Sequence, residues 1–272
     1  MIPRLCIHTA TTKPWTTEQC IDRYAGAGVQ GITFWRYNLE GRDPANVGRQ
    51  ARDQGLEIVS LCRGGFFPAT DPADRQKAID DNRLCIEQAH ALGAPLIVLV
   101  CGAVPGQSLT ESRKQITEGI AAVLPDAEAA GVKLAIEPLH PMYADDRSAV
   151  NTMRQAHEIC DALHSPVSLG IAVDVYHVWW DPYLRGEIDL ASIKRRLFAF
   201  HICDWKTPTA DLLNDRGLMG EGCIPIAEIS SWVDESGFNG PREVEIFSTR
   251  YWAMDQDDYL SKITEAYRQL YP

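Results

Sequence analysis

The sequence predicts an α/β fold, a single (β/α)8 TIM barrel spanning residues 1–272. Three observations carry that expectation. Eight short runs rich in Val, Ile, Leu and Phe recur along the chain, segments with helical spacing lie between them, and no linker, low-complexity tract or change of composition divides it. The length also suits such a barrel, which takes about 250 residues.

In order, the runs are RLCIHTA (4–10), GITFWR (31–36), LEIVSLCR (56–63), PLIVLVCG (95–102), VKLAIEPLH (132–140), VSLGIAVDVYH (167–177), RLFAFHICD (196–204) and REVEIFS (242–248). Their near-continuous hydrophobicity suits parallel strands covered on both faces. Among the intervening helices, TTEQCIDRYAGAG opens on a Thr cap with an acidic first turn and closes on Gly. DPADRQKAIDDNRLCIEQAHALGA places Ala78, Leu84, Cys85, Ala89 and Leu92 near one stripe and ends on Gly93. SRKQITEGIAAVLPDAEAAGV repeats the pattern, with Pro125 expected to bend or interrupt it. SAVNTMRQAHEICDALH, YLRGEIDLASIKRR, IPIAEISSWVDESGF and DDYLSKITEAYRQL supply the later crossovers. The first turn, HTATTKPWT, lacks the GxGxxG of a dinucleotide-binding open sheet, the competing architecture.

Composition narrows the function. With 45% hydrophobic and 23% charged residues the chain is an ordinary globular one. A net charge of −11 argues against a nucleic-acid backbone as partner. No stretch approaches the roughly 20 apolar residues that span a bilayer, and MIPRLCIHTATTKPW lacks the apolar core of a signal peptide. A cytoplasmic protein without a membrane partner is the expectation. The eight cysteines form no CxxC pair and read as free, mostly buried thiols of a reducing compartment.

A barrel carries its chemistry at the C-terminal ends of its strands. The fifth run ends in Glu137 and His140, the sixth in Asp174 and His177, the seventh in His201 and Asp204, the eighth in Glu245. Strand alternation turns Leu134 and Ile136 outward and Ala135 and Glu137 to the axis. It likewise aims Asp174, His201 and Glu245 inward, with Ile171, Val173, Phe198, Phe200, Ile202, Val244 and Ile246 outward. Three carboxylates crowded together without a cation could not all ionise. A divalent metal resolves the conflict, and one imidazole with three carboxylates suits Mn²⁺ first, then Mg²⁺, Co²⁺ or Zn²⁺. Glu243, one layer deeper on the same face, has a second reading as partner of a Lys or Arg from the barrel floor.

Other side chains at strand ends are candidates to shape the pocket: Trp35 and Arg36, Arg63, Lys206, Trp179 and Trp180. The loop NDRGLMGEGCIP (214–225) reads as a lid or tight turn. No dedicated phosphate loop is present, which favours a non-phosphorylated substrate.

The motifs IEPLHP, VDVYHVWWDP, FHICDW and VEIFS resemble those of xylose isomerase-like TIM barrels, the sugar phosphate isomerase/epimerase type, and the resemblance covers essentially the whole chain. It implies that Glu137, Asp174, His201 and Glu245 hold one divalent metal, with Glu137 and Glu245 as acid and base on opposite faces of the sugar. His177 would help hold substrate oxygens. Two positions depart from the ketose epimerase pattern: Tyr143 stands where a second Glu is expected, and Thr207 where an Arg is expected. The Glu137–His140 spacing also resembles the metal subunits of bacterial C-glycoside deglycosidases, which act on 3-keto-glycosides, and there His140 would be the base.

The implied function is a sugar isomerase or epimerase that transfers a proton beside a carbonyl through a metal-stabilised enediolate. The alternative is a lyase or hydrolase that cleaves 3-keto-glycosides by β-elimination. A three-metal endonuclease of the same superfamily would need His ligands that FWRYN and CRGGF lack. A two-metal aldose isomerase would call on Asp204, and a non-catalytic sugar-binding barrel is a further class. The expected partner is a small sugar or keto-glycoside, with a homo-oligomer or a small partner subunit left open.

Overall fold

The structure, a computed structural model, describes residues 1–164 and 166–272. All eight apolar runs form strands of one closed parallel barrel: β1 (Ile2–His8), β2 (Val29–Trp35), β3 (Glu57–Gly65), β4 (Leu96–Val100), β5 (Lys133–Ile136), β6 (Leu169–Asp174), β7 (Leu197–Ile202) and, eighth around the barrel, β10 (Arg242–Val244). Between the last two, β8 (Asp204–Trp205) and β9 (Arg216–Gly217) make a small antiparallel ladder outside the barrel. Several strands stop short of the run that announced them. The ladder of β5 ends at Ile136, although the Glu137 amide still donates to the Leu99 carbonyl at 3.1 Å. The polar residues therefore sit where the sheet gives way to loops.

Helices cover the barrel as local chemistry directs. The Thr17–Gly26 helix starts in a capping box between Thr16 and Gln19. The Pro72–Leu92 helix is capped by Asp71 and closed by Gly93 in the left-handed region at φ 85°. Leu84 on that helix is exposed rather than on the buried stripe, which runs instead through Asn82, Cys85, Ile86, Ala89 and Leu92. Pro125 does not interrupt its helix, which continues from Leu109 to Ala130. One helix, Pro44–Asp53, lies outside the crossovers named from the sequence; Asp43 caps it, Pro44 opens it, and it buries Val47, Gly48 and Ala51.

Inside the barrel, Cys62, Leu96, Val98, Ala135, Ala172 and Ala199 form an apolar layer beneath the site. Phe198 packs against that layer, contrary to the outward direction that strict alternation assigns it. The cause is a register shift: Ile171 pairs with Leu197 but Ala172 pairs with Ala199, so β7 carries one extra residue there. Gly170 makes the room, because a Cβ at that position would lie 2.5 Å from the Phe198 ring. Beyond the bulge the phase is restored, and His201 is fully buried.

All eight cysteines are free, and Cys223 alone is exposed. Among the described residues, no helix is long and apolar enough to cross a membrane.

Candidate active site

The strand ends bring Glu137, Asp174, His201 and Glu245 together, each offering one ligand atom, and those four atoms all lie within 4.8 Å of one another. All four side chains are buried. His201 Nδ1 stands 2.9 Å from Glu137 Oε1, yet neither atom has an aligned hydrogen bond. Two buried lone-pair carriers that close, unaligned with each other, are what a shared cation requires of its ligands. The donor set of three carboxylates and one imidazole fits a divalent ion by the same chemistry.

Two residues at the heart of the site escaped sequence reasoning. His8, at the end of β1, bridges two carboxylates: its Nδ1 lies 2.8 Å from Glu245 Oε1 and its Nε2 lies 3.1 Å from Glu243 Oε2. Arg216 enters from β9 and is almost wholly buried. Its Nη1 reaches Asp174 Oδ2 at 3.0 Å and Glu245 Oε2 at 2.9 Å, and its Nη2 lies 3.1 Å from His177 Nε2. The guanidinium is stacked on Tyr176, 4.4 Å from the ring centroid. The basic residue that Thr207 lacks is thus supplied nine positions later. His8 had a signal, as the inward residue at the end of the first run. Arg216 had none, because a loop has no periodicity.

Among the described residues, Glu243 has no Lys or Arg partner. Besides His8, it accepts hydrogen bonds from Thr33 Oγ1 at 2.6 Å and Ser60 Oγ at 3.3 Å. This corrects the barrel-floor ion pair: the inner layer offers a histidine and two hydroxyls, and an inward carboxylate takes what is there.

Burial opposes charge throughout the site, and pairing decides which groups keep it. Burial would neutralise His8, but the Glu245 carboxylate outweighs it and the pKa stands well above the ordinary value. Burial also opposes charge on His201, yet Glu243 and Glu137 push it up to about 9. Glu245 is held below the carboxylate range, because His8 and Arg216 together overcome its desolvation. Asp174 is pushed up to about 6 by burial, with Glu137 and Glu245 adding to it and Arg216 opposing. Burial and Arg216 push His177 well below normal, so its ring is neutral. A neutral imidazole offers a single acceptor nitrogen, and Arg216 competes for it with the His140 amide, 3.2 Å from His177 Nδ1.

A cavity of about 140 Å³ opens beside the cluster. Its lining combines the polar Glu137, Glu245, His177 and Arg216 with the apolar Cys62, Val98, Val100 and Leu139, and Trp35, Arg63, Tyr143, Arg147, Leu213 and Phe247 complete it. Tyr143 donates its hydroxyl to the Leu212 carbonyl at 2.6 Å and so ties the 212–213 segment across the opening. Other sequence candidates lie apart from the cavity lining. His140 Nδ1 accepts the Met142 amide at 3.2 Å, and its ring sits 5.0 Å from that of Trp205. Trp180 donates to the His177 carbonyl at 2.8 Å. Lys206 pairs with Asp215 at 2.6 Å. Arg36 makes a bidentate pair with Asp81 at 2.7 and 2.8 Å. Trp179 packs on Trp205 at 6.0 Å.

Asp204, the residue a second metal would need, is committed elsewhere. Its carboxylate accepts four backbone amides, those of Trp205, Gly220, Gly222 and Ile224, at 2.8 to 3.0 Å. That anchors the 214–225 loop. Asp204→Asn replaces one acceptor oxygen by a donor facing an amide. The expected cost is about 1–3 kcal/mol, together with faster hydrogen exchange at Gly220 and Gly222. Unchanged exchange at both glycines would show that the loop is held by other contacts.

The architecture is thus an eight-stranded parallel barrel with a carboxylate–imidazole cluster where its strands end. Residues 21–270 match the xylose isomerase-like TIM barrel family, and the chain belongs to it. Inosose isomerase of Halalkalibacterium halodurans is 26% identical over 197 residues, 71% of this chain and 67% of that protein. Inosose isomerase of Bacillus velezensis is 25% identical over 235 residues, 84% of this chain and 80% of that one. Among solved structures, protein SMc04130 from Sinorhizobium meliloti 1021 shares 45% identity with a TM-score of 0.95, covering 99% of both chains. The IOLI protein, solved with a bound zinc atom, shares the fold at a TM-score of 0.84 and 22% identity, over 98% of this chain and 97% of that one.

Proposed function

We propose that this protein is a divalent-metal-dependent sugar isomerase or epimerase that moves a proton on a carbon beside a carbonyl. The observation that carries the reading is the convergence of Glu137, Asp174, His201 and Glu245 on one point, with two of the four carrying carboxylates that also face the cavity. The inosose isomerases among the relatives support the same class of reaction.

Glu137, Asp174, His201 and Glu245 would hold the ion, and their oxygen-rich set favours Mn²⁺, with zinc, the metal of the IOLI structure, as the next choice. When bound, a divalent ion supplies Lewis-acid polarisation of a carbonyl and its neighbouring hydroxyl. The protein's own groups do the rest. Glu137 and Glu245 stand on strands separated by β6 and β7 around the barrel, so their carboxylates flank a bound sugar from two sides. His8 and Arg216 hold Glu245 ionised and fix its direction, which suits it to take a proton from carbon. Glu137 returns a proton from the other side. Return to the same carbon inverts it, and return to the neighbouring carbon isomerises the sugar. Arg216 and His177 face the same space and orient substrate oxygens. The apolar walls exclude water from the exchange.

The alternative, elimination from a 3-keto-glycoside, has less support in the geometry. His140, the base in that reading, spends its Nδ1 on the Met142 amide and lies outside the cavity lining. One experiment separates the two. Protein loaded with Mn²⁺ is incubated in D₂O with free ketoses, inososes and 3-keto-glycosides. The expected result is deuterium on the carbon beside the carbonyl of a recovered ketose or inosose. Aglycone release would transfer the assignment to the lyase, and no exchange into any of the panel would overturn the proton-transfer reading.

A further inference from the structure

The cavity carries more positive charge than its proposed chemistry uses. Both Nη atoms of Arg216 are spent on Asp174, Glu245 and His177, which leaves only its Nε for a substrate oxygen. Two other guanidiniums line the same cavity, and these are not spent. Arg63 follows Cys62 on β3 and lies against the Phe66 ring, 4.0 Å from its centroid. Arg147 comes from the loop after β5 and lies over the Tyr143 ring at 5.6 Å. Both are half-buried. Among the described residues, neither forms an ion pair with a carboxylate, although the chain carries 37 acidic residues against 26 basic ones. Asp81, whose charge reaches Arg63, is occupied by both nitrogens of the Arg36 fork.

Two like charges drawn into one opening are costly unless something offsets them. Burial and the proximity of Arg147 both push Arg63 below the usual arginine pKa, a sign that the pair is electrostatically frustrated as it stands. The aromatic rings hold the guanidiniums in place by their faces and leave the N–H edges free. Edges presented in this way match the oxygens of a carboxylate or phosphate bidentately. An acidic protein that keeps two arginines without carboxylate partners in the lining of one cavity presents a local positive field to an incoming anion.

We propose that the substrate bears an anionic oxo group, a carboxylate or a phosphate, and that Arg63 and Arg147 clamp it from the cavity lining while the rest of the molecule reaches Glu137 and Glu245. The proposal rests on the sugar isomerase reading for the position of the reacting carbons, but not for the clamp itself. It replaces the neutral sugar that the missing phosphate loop suggested, since a pair of arginines binds an anion without such a loop. The two sources differ in size, so a keto sugar acid and a ketose phosphate are separate arms of the test.

Binding is read by calorimetry on the Mn²⁺-loaded full chain at low salt, with D-fructose, 2-keto-D-gluconate and D-fructose 6-phosphate as probes. At least one anionic probe is expected to bind about ten-fold or more tightly than D-fructose, and to lose that margin in Arg63→Gln and Arg147→Gln and at high salt. D-Fructose affinity should fall far less than that of the anionic probe in either variant. Arg147→Lys keeps the charge without the fork and should fall between, which guards against a variant that merely misfolds. The arm that shows the margin names the anion. If neither anionic probe outbinds D-fructose, or if the margin survives both substitutions, the clamp is overturned. Failure of the isomerase reading would appear elsewhere, as absent deuterium exchange in a protein that still discriminates by charge.

Discussion

Glu137→Gln should abolish useful turnover, lowering kcat for deuterium exchange by about 10³-fold or more, and should weaken divalent-ion binding in the same protein. Both effects follow from one position. The side chain sits at the end of β5 with Oε1 2.9 Å from His201 Nδ1 and faces the cavity. Glutamine keeps the shape and removes the charge, so the fold should be untouched and the thermal midpoint close to that of the parent. Exchange kinetics on the recovered substrate, together with metal titration of the purified variant, measure the two losses separately. A variant that keeps its metal but not its turnover would assign Glu137 to proton transfer alone. A variant that keeps both would remove Glu137 from the site.

The second large effect is on stability. Arg216→Met should cost about 3–5 kcal/mol, because it leaves Asp174 buried without its cation and Glu245 with His8 alone. Methionine keeps the unbranched apolar stem but lacks the guanidinium that lies over Tyr176 and Phe247, so it removes the charge and leaves a flexible side chain to fill the space. On a chain of this size that corresponds to a fall in Tm of roughly 10 °C. The sign of the rescue is also fixed. Added Mn²⁺ neutralises the same carboxylates, so it should raise the Tm of Arg216→Met by more than it raises that of the parent. An unchanged urea midpoint in the variant would mean that the guanidinium contributes nothing to the folded state, against its threefold pairing.

Much of this architecture was legible before any coordinates. A parallel strand covered on both faces must be apolar along its length, so each of the eight barrel strands announced itself as a run. The same logic located Glu137, Asp174, His201 and Glu245, because a charged residue is conspicuous at the end of such a run and alternation says which way it points. What escaped followed other rules. Phe198 turned inward through a bulge, and a one-residue insertion in a strand leaves no mark in composition. The Pro44–Asp53 helix is short and buries only Val47, Gly48 and Ala51, though Asp43 before Pro44 is a start signal that could have found it. Arg216 and Arg147 arrive from loops, where neither spacing nor hydropathy relates a residue to the barrel axis. His8 was visible and passed over, since the list of candidates drew on the last four strands and the barrel closes β1 against β10. Closure places the first strand beside the last, and the end of β1 belonged on that list from the start.

The hydrogen bonds of His8 also explain why the inner and outer carboxylates differ in duty. Glu243 is satisfied by His8, Thr33 and Ser60 and lies away from the cavity, whereas Glu245 shares His8 but keeps its other oxygen with Arg216 and faces the opening. Two residues apart on one face, they sit in different layers of the barrel. The upper one lines the cavity, and the lower one pairs with the histidine that also meets the upper one.

The central claim is that one divalent ion binds where Glu137, Asp174, His201 and Glu245 meet. Equilibrium dialysis of chelator-stripped protein against Mn²⁺, followed by elemental analysis, tests it most directly. The account predicts one ion per chain in the parent and loss of that ion in Asp174→Asn and His201→Ala. Stripped protein that takes up no divalent ion, or variants that bind it as well as the parent, would contradict it.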